Sequence, residues 1–184
     1  VIIQNPIGVN NFNSTRPVVV NSGAGGDSAE LAGVISGGGA GGQSALRKSG
    51  SGRLIYSAAN TFSGDTKVDG GTLEIANDLA LQNSAIDTTG VGVFDFTPVT
   101  TPTIGGLKGG VNLASAITSG YSGITALTLN TFNAAPLTPY SYSGVIANGA
   151  AGMSLTKSGA GTQVLGGVNT YTCLLYTSPS PRDS

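Results

Sequence analysis

The sequence predicts an all-β protein built as a solenoid, which is a stack of similar coils. Three observations lead to this prediction: a motif that occurs twice, a low content of charge, and short apolar runs between glycine-rich turns. Charged residues make up 9% of the chain, against about 25% in ordinary globular domains. The 30 glycines are more than twice the average share of about 7%. Repetition of this kind indicates an elongated stack rather than one globular catalytic domain.

The internal repeat is the most informative of these features. Residues 45–75 read ALRKSGSGRLIYSAANTFSGDTKVDGGTLEI, and residues 154–172 read SLTKSGAGTQVLGGVNTYT. The second copy keeps the order and the spacing of the first at 109 positions further along the chain. The identities are Leu46, Lys48, Ser49, Gly50, Gly52, Asn60 and Thr61, which recur as Leu155, Lys157, Ser158, Gly159, Gly161, Asn169 and Thr170.

Short runs of β type follow one another along the chain, and several of them alternate. Leu73 and Ile75 face one way while Thr72 and Glu74 face the other, as the period of two in a strand requires. No sustained helical pattern occurs, because glycine or proline interrupts almost every stretch of twelve residues. The predicted strands are 2–3, 18–20, 54–56, 66–68, 72–75, 91–96, 124–129 and 164–165.

Stacking is needed because one coil does not bury enough apolar surface to stand alone. A coil of about twenty residues loses about 20–40 kcal/mol of backbone entropy. Three or four buried Val, Leu or Ile side chains return only about 5–12 kcal/mol. A sandwich or a barrel would also contain short strands, but the internal repeat and the low charge favour the solenoid.

The composition excludes several classes of function. The net charge of −1 does not favour electrostatic binding of nucleic acid or of acidic membranes. The chain contains no histidine and one cysteine, Cys173, so His-based general base catalysis and the usual Cys/His zinc sites are not expected. No run of about 18 apolar residues predicts a transmembrane helix. The sequence therefore predicts no metal site and no cofactor.

The end of the chain has a composition of its own. Residues 173–183 read CLLYTSPSPRD, which matches one reading frame of a transposase-type sequencing-library adapter at every residue. The second copy of the repeat also stops in mid-motif where this segment begins. We therefore expect residues 173–184 to derive from an adapter. We expect residues 1–172 to be a fragment of a longer solenoid, open at both ends.

Two carboxylates, Asp65 and Asp69, are the best candidates for catalysis. Paired carboxylates cleave glycosidic bonds or bind Ca²⁺, so a β-helical protein that cleaves or binds polysaccharide is the alternative function. However, residues 69–71 read as an ordinary turn, and Asp65 lies at a variable position of the repeat. We therefore predict no catalytic residue.

Other residues are open to both a functional and a structural interpretation. Lys48 and Lys157 suggest either a repeated ligand contact or solvated turn residues that discourage edge pairing, and we favour the second. Asn60 and Asn169 suggest an internal ladder of stacked asparagines. The pairs Tyr140/Tyr142 and Phe94/Phe96 are expected to pack within or against the coil rather than to form a sugar-stacking patch.

Residues 45–73 resemble the autotransporter-associated β-strand repeat, which is also called the passenger-associated transport repeat. The chain departs from the usual pattern at Arg47, Arg53 and Phe62, where the family more often has Thr, Thr and Tyr. Similar five-residue stretches precede the two copies, at 33–37 and 144–148, and they extend the two motifs to about 33–75 and 144–172. The residues that carry the likeness are Leu46, Lys48, Gly50, Gly52, Asn60, Thr61, Gly64, Gly71 and Leu73 in the first copy and Leu155, Lys157, Gly159, Gly161, Asn169 and Thr170 in the second.

The resemblance implies a right-handed parallel β-helix in the passenger of a secreted bacterial protein. It implies a non-enzymatic scaffold at the cell surface, associated with the outer membrane, that supports secretion, display or adhesion. The expected partners are the translocator barrel of the parent protein and polysaccharide or protein ligands of a host or surface, with no nucleic acid.

Overall fold

The computed structural model describes residues 1–9, 15–23, 26–38, 45–132, 138–172 and 175–177. The predicted all-β solenoid is confirmed, since these residues form parallel strands with little helix. The strands are β1 Ile2–Ile3, β2 Ile7–Val9, β3 Thr15–Val19, β4 Ser28–Leu31, β5 Ile35–Gly37, β6 Ala45–Ser49, β7 Arg53–Tyr56, β8 Thr66–Val68, β9 Thr72–Ile75, β10 Leu81–Asp87, β11 Val93–Asp95, β12 Thr103–Lys108, β13 Ile117–Ser119, β14 Ala126–Asn130, β15 Tyr140–Tyr142, β16 Ser154–Ser158, β17 Gln163–Leu165 and β18 Leu175–Thr177, with one α-helical turn, α1 Leu113–Ala116, and one 3-10 turn at Tyr121–Gly123.

Successive coils contribute neighbouring strands to two long sheets. The six-stranded sheet has the order β1-β4-β7-β9-β11-β13, and the eight-stranded sheet has the order β18-β16-β14-β12-β10-β8-β6-β3. Two short pairs, β2-β5 and β15-β17, complete the described sheets. The pairing is parallel throughout the described strands, as it is when a chain winds in one direction and stacks each turn on the last. The fold is therefore a parallel β-solenoid.

The core consists of columns of inward-facing side chains that run along the stack. Register pairing places Ile3, Leu31, Tyr56 and Ile75 in one column of the six-stranded sheet. All but Ile3 are buried. Because side chains alternate along each strand, the polar neighbours of these residues face outward. The continuous column replaces the closed core that a single coil lacks.

Some strands form where no alternation predicts them. The strands predicted at 66–68 and 72–75 have those bounds in the structure. The strand predicted at 91–96 is shorter in the structure, where it is β11, and the one predicted at 18–20 begins and ends earlier, as β3. The sequence does not predict β10 and β12, because one is polar and the other contains two glycines. A Cβ on Gly105 would lie 2.4 Å from the carbonyl carbon of Asn83 in β10, so the glycine permits the two strands to approach.

One coil leaves the regular path after β12. Gly109 bridges to Tyr142, and α1 then carries the buried side chain of Leu113 into the core. The backbone N–H of Leu113 donates to Val145 O at 3.0 Å, and Asn112 Oδ1 accepts a hydrogen bond from Val145 N at 3.0 Å. The six-stranded sheet ends at β13, and β15 and β17 form a separate two-stranded sheet in the later coils.

Strand β3, at one edge of the eight-stranded sheet, lacks a main-chain N–H donor at one position of its open side. Val20 N donates to Ser49 O at 3.0 Å and Val20 O accepts from Gly52 N at 2.8 Å, so the main-chain groups of residue 20 face the neighbouring coil. The alternation of a parallel ladder then turns the nitrogen of Pro17 away from that coil. Proline has no N–H to donate, and an edge position is where a sheet tolerates it.

The expected adapter-derived segment lies mostly outside the described residues. The backbone of β18 pairs in parallel with β16, with Leu175 beside Leu155. Such pairing uses main-chain groups and does not depend on sequence. The origin of residues 173–184 and the handedness of the coil stay predictions. In the described part, no helix is long and apolar enough to span a membrane.

Candidate functional site: the repeated motif

Both copies of the motif occupy the same place in the coil. Each begins in the eight-stranded sheet, at β6 and β16, passes through a glycine turn and continues as β7 and β17. The leucines of the motif, Leu46, Leu73 and Leu155, are all buried in the core. The apolar positions of the repeat thus fix which way each strand faces.

Asn60 is a buried polar clamp between coils. It is 1% exposed, its Oδ1 accepts a hydrogen bond from Ile35 N at 2.8 Å, and its Nδ2 donates to Ala80 O at 3.1 Å. Thr61 N donates to Ile35 O at 2.9 Å. Asn60 therefore satisfies main-chain groups of the preceding and following coils at a corner where no strand pairing does so.

Asn169 repeats the same contact in the second copy. Its Oδ1 accepts from Ile146 N at 2.9 Å, and Thr170 N donates to Ile146 O at 2.9 Å. This explains why similar approaches at 33–37 and 144–148 precede the two copies, since each supplies the isoleucine that the asparagine binds. In place of the expected ladder of stacked asparagines, the structure shows asparagine bound to main chain.

Lys48 is buried, so the prediction of a solvated turn residue is wrong for it. The side chain is 1% exposed, and Nζ donates to Ser49 O at 3.1 Å and to Gly50 O and Gly70 O at 2.9 Å each. Gly70 belongs to the next coil. Burial lowers the pKa of the Lys48 ammonium. The lysine thus joins two successive turns through their carbonyl groups.

Lys157 makes part of this arrangement. Its Nζ donates to Ser158 O and Gly159 O at 2.8 Å each, and partial burial lowers its pKa. The glycines that follow both lysines have positive φ, +77° at Gly50 and +74° at Gly159. A Cβ at either one would lie 2.4 Å from a carbonyl oxygen of the preceding coil, which explains the repeated Lys-Ser-Gly sequence.

The candidate carboxylates are held by different cations. Asp65 Oδ2 lies 2.5 Å from Lys108 Nζ, whereas Asp69 Oδ2 lies 2.5 Å from Arg47 Nε, at the other end of β8. The hydrogen bond from Arg47 holds the pKa of Asp69 below its ordinary value. A general acid at neutral pH needs a raised pKa. The two carboxylates are therefore not arranged as an acid–base pair.

The four candidate aromatic residues pack inward. Phe94, Phe96, Tyr140 and Tyr142 are all buried, and the ring centroids of the two phenylalanines lie 6.4 Å apart. Tyr142 Oη donates to Val111 O at 2.7 Å, and burial raises the pKa of this hydroxyl. The predicted packing role is confirmed, and no sugar-stacking patch forms from these rings.

Sequence reasoning missed an ion-pair group on the outer face of the six-stranded sheet. Arg53 binds Glu74 on the next coil, and its Nη2 reaches Asp95 Oδ2 on the coil after that at 3.1 Å. Thr97 donates to Asp95 Oδ1 from N at 2.9 Å and from Oγ1 at 2.6 Å. Burial acts to raise the pKa of Asp95, but the bonds from Thr97 and the charge of Arg53 outweigh it and lower that pKa. Only the register of three coils reveals this group.

Grooves on the surface of the described residues include one at the first coil and one beside β8. An apolar groove of about 480 Å³ lies at the first coil, where Ile3, Ile7 and Val18 contribute to its walls and Arg16 stands beside them. A smaller groove of about 160 Å³ lies between Val68 and the turn that carries Val91. No group of three or more His, Cys, Asp or Glu in the described chain is placed to hold a metal ion.

Two segments of the chain match the model of a known protein family. Residues 46–75 and 155–172 match the passenger-associated-transport-repeat family. Both segments coincide with the Lys–carbonyl and Asn–Ile contacts described above. No curated protein and no solved structure matches the chain.

Proposed function

We propose, from the premise that the chain carries two passenger-associated-transport repeats, that it is a non-enzymatic structural segment of an autotransporter passenger. Its work would be to form a rigid stack that supports secretion through the outer membrane and presents other parts of the passenger. The proposed location is the bacterial cell surface. The proposed partners are the translocator barrel of the parent protein and polysaccharide or protein ligands to which the surface adheres.

The observation that carries this proposal is the reuse of the motif as a coil-to-coil fastener. Asn60 and Asn169 bind equivalent isoleucine amides at 2.8 and 2.9 Å, and both lysines bind turn carbonyls. These contacts are made to main chain of the same protein. A motif that is repeated within the chain for internal contacts supports a scaffold rather than a ligand site.

Stacking also supplies a physical reason for a role in secretion. A coil is stable only when it rests on a neighbour, so folding proceeds by adding coils to an existing stack. Each coil that stacks outside the membrane would oppose the return of the chain through the pore. The polar clamps make each addition specific, because they find their carbonyls only in the correct register.

The non-enzymatic part of the proposal is supported by the state of the candidate carboxylates. Asp65 and Asp69 are bound to separate cations, and no described observation favours the alternative of a carbohydrate-cleaving protein. Incubation with acidic polysaccharides tests this point. Release of reducing ends that Asp65→Asn or Asp69→Asn abolishes would contradict the proposal.

The secretion role is tested by placing residues 1–172 in an autotransporter passenger, in place of a stretch of equal length. We expect the chimaera to reach the cell surface and to resist added protease. Leu54→Asp places a charge in the core, where Leu54 is fully buried, and should leave the passenger in the periplasm. Val91→Asp, at an exposed turn, is the matched control. Equal surface display of all three proteins would refute the proposed role.

A further inference from the structure

Asn148 and Gly149 form the only Asn-Gly pair in the sequence, and they lie just after the isoleucine, Ile146, that Asn169 binds. Both polar atoms of the Asn148 carboxamide bind Thr172 on the next coil. Oδ1 accepts a hydrogen bond from Thr172 N at 3.1 Å, and Nδ2 donates to Thr172 Oγ1 at 2.7 Å. The carboxamide of Asn148 therefore fastens the segment that carries Asn169 to the preceding coil.

The first copy of the repeat makes the same connection with main chain alone. Ser63 lies 109 positions before Thr172, and its N–H donates to Gly37 O at 3.2 Å. Gly37 and Asn148 each lie two residues after the isoleucine that the clamp asparagine binds. A side-chain amide in the second copy thus replaces a main-chain carbonyl of the first, which gives Asn148 a structural reason to be present.

Gly149 has a structural reason of its own. A Cβ at this position would lie 2.5 Å from Tyr121 O and 2.8 Å from Ile124 O, both on the preceding coil. The N–H of Gly149 donates to the sulfur of the buried Met153, with 3.3 Å between N and Sδ. Because a thioether is a weak acceptor, this hydrogen bond does little to hold the nitrogen of Gly149.

An asparagine followed by glycine can form a succinimide. The nitrogen of Gly149 attacks Cγ of Asn148, the new C–N bond closes a five-membered ring, and the Cγ–Nδ2 bond breaks. Ammonia leaves with the proton that Gly149 N gives up. Solvent water then adds to either imide carbonyl and produces aspartate or isoaspartate, with no oxidation or reduction. Glycine favours ring closure because it has no Cβ to obstruct the attack.

We propose that Asn148 is a site of spontaneous deamidation that the stacking of the next coil holds back. Ring closure requires the carboxamide to turn onto its own main chain, so both hydrogen bonds to Thr172 must first break. Local opening of residues 169–172 is therefore the step that permits the reaction. A chain whose later coils are stacked keeps Asn148, whereas a chain whose later coils are open loses it.

The two products differ in how well they fit this corner. Aspartate leaves the main chain unchanged, and its carboxylate can still accept from Thr172 N. Isoaspartate adds one carbon to the main chain, and the close approach of Gly149 to Tyr121 O leaves little space for the displaced backbone. Formation of isoaspartate therefore makes the opening permanent and marks the chain covalently.

Mass spectrometry of the full chain, incubated in mildly alkaline buffer, measures the exchange of NH₂ for OH at Asn148. A synthetic peptide of residues 144–153 gives the rate without stacking, and the folded chain should react at least about tenfold more slowly. Thr172→Val removes one of the two hydrogen bonds and should raise the rate about two- to tenfold. Thr118→Val is the matched control, because Thr118 is exposed in β13, and it should react as the wild type does.

Three further measurements make the test specific. Asn148→Gln should show no conversion at this position, because its longer side chain does not close the same ring. Thr172→Ser keeps the hydroxyl and should restore the slow rate. Wild type unfolded in urea should react as fast as the peptide, which keeps the test valid if Thr172→Val loses its β signal in circular dichroism.

Four outcomes would each overturn the proposal. They are equal rates for the folded chain and the peptide, no acceleration in a folded Thr172→Val, the same acceleration in Thr118→Val, and no conversion of Asn148 in urea. The first two would show that stacking does not protect the site. The third would show that Thr172 has no particular role, and the fourth that Asn148 is not a site of deamidation.

Discussion

The carboxamide of Gln163 binds both main-chain groups of Leu107, 56 residues earlier in the chain. Oε1 accepts from Leu107 N and Nε2 donates to Leu107 O, each at 2.9 Å. Strand β12 pairs with β14 only at Thr103 and Ile104, so Leu107 has no strand neighbour on that side. The side-chain amide thus takes the place of a peptide group and completes the sheet.

Loss of this contact should lower the stability of the later coils. Gln163→Ala leaves the buried N–H and C=O of Leu107 without partners, and we expect it to lower the free energy of unfolding by about 1–3 kcal/mol. Urea unfolding followed by circular dichroism measures the change. Gln4→Ala, at an exposed position, is the control and should stay within about 0.5 kcal/mol of wild type. Equal unfolding midpoints for the two variants would show that the carboxamide contact does not contribute to stability.

The two clamp asparagines should differ in their effect. Asn60→Ala leaves Ile35 N and Ala80 O buried without hydrogen bonds, for an expected cost of about 2–4 kcal/mol. Asn169→Ala removes the bond from Ile146 N at a partly exposed position, and among the described residues this contact should be worth about 1 kcal/mol. The comparison is internal, because the same substitution is made at the same position of the repeat. A larger loss for Asn169→Ala in urea unfolding would contradict the structure.

The two repeat lysines provide a second matched pair. Lys48→Met keeps the length of the side chain but leaves three carbonyls without their ammonium donor, and we expect a loss of about 1–3 kcal/mol. Lys157→Met affects the carbonyls of Ser158 and Gly159, its partners within the described residues, at a half-buried site, and it should cost less. If Lys48 acted only as a solvated turn residue, thermal unfolding of the two variants would shift by similarly small amounts.

Glycines at the corners should not tolerate a side chain. A Cβ on Gly33 would lie 2.1 Å from Asn5 O, and one on Gly144 would lie 2.5 Å from Val111 O. Gly33→Ala and Gly144→Ala should therefore each lower stability by about 1–3 kcal/mol through forced backbone movement. Gly8→Ala serves as the control, because a Cβ added at Gly8 would meet nothing within 4 Å. Three variants with the same melting temperature would contradict this account.

Acid should weaken the protein partly through Asp95. The pKa of Asp95 is lower in the folded chain than its ordinary value, so the unfolded chain binds more protons at intermediate acidity. The stabilisation is present above the ordinary pKa of about 3.9 and disappears as the pH falls through the folded pKa. Asp95→Asn should cost about 1–2 kcal/mol at pH 7.

The difference between wild type and Asp95→Asn should shrink as the solution is acidified below about pH 4. Urea unfolding at a series of pH values measures this difference. A constant gap at every pH would mean that the carboxylate charge contributes nothing, and that the variant acts through shape alone.

Strands with alternating side chains could be predicted from the sequence, whereas those without alternation could not. Leu73 and Ile75 face the core and Thr72 and Glu74 face out, and the strand lies where the pattern predicts it. Strand β10 has no such pattern. It forms a strand through its pairing with the coils on either side. Its main chain pairs with β8 and β12, and this long-range contact leaves little trace in local composition.

The repeated polar residues could be located from the sequence, but their partners could not. The recurrence of Lys48 and Asn60 marks them as important, whereas the carbonyls that they bind on the following coil belong to Gly70 and Ala80. Main-chain carbonyls are the same in every residue and carry no sequence signal. The burial of Lys48 therefore follows from stacking, and its place beside a turn gives no sign of it.

The buried polar side chains of the repeat, Asn60 and Lys48, also disfavour an incorrect register when coils stack. Parallel strands of similar composition pair acceptably after a slip of two residues, because such a slip keeps the apolar row inside. Asn60 would then lose Ala80 O and Lys48 would lose Gly70 O while both side chains remain buried, and each lost bond would leave a buried polar group less well satisfied. A solenoid of nearly interchangeable coils thus carries, in two side chains per repeat, the information that rejects a misaligned turn.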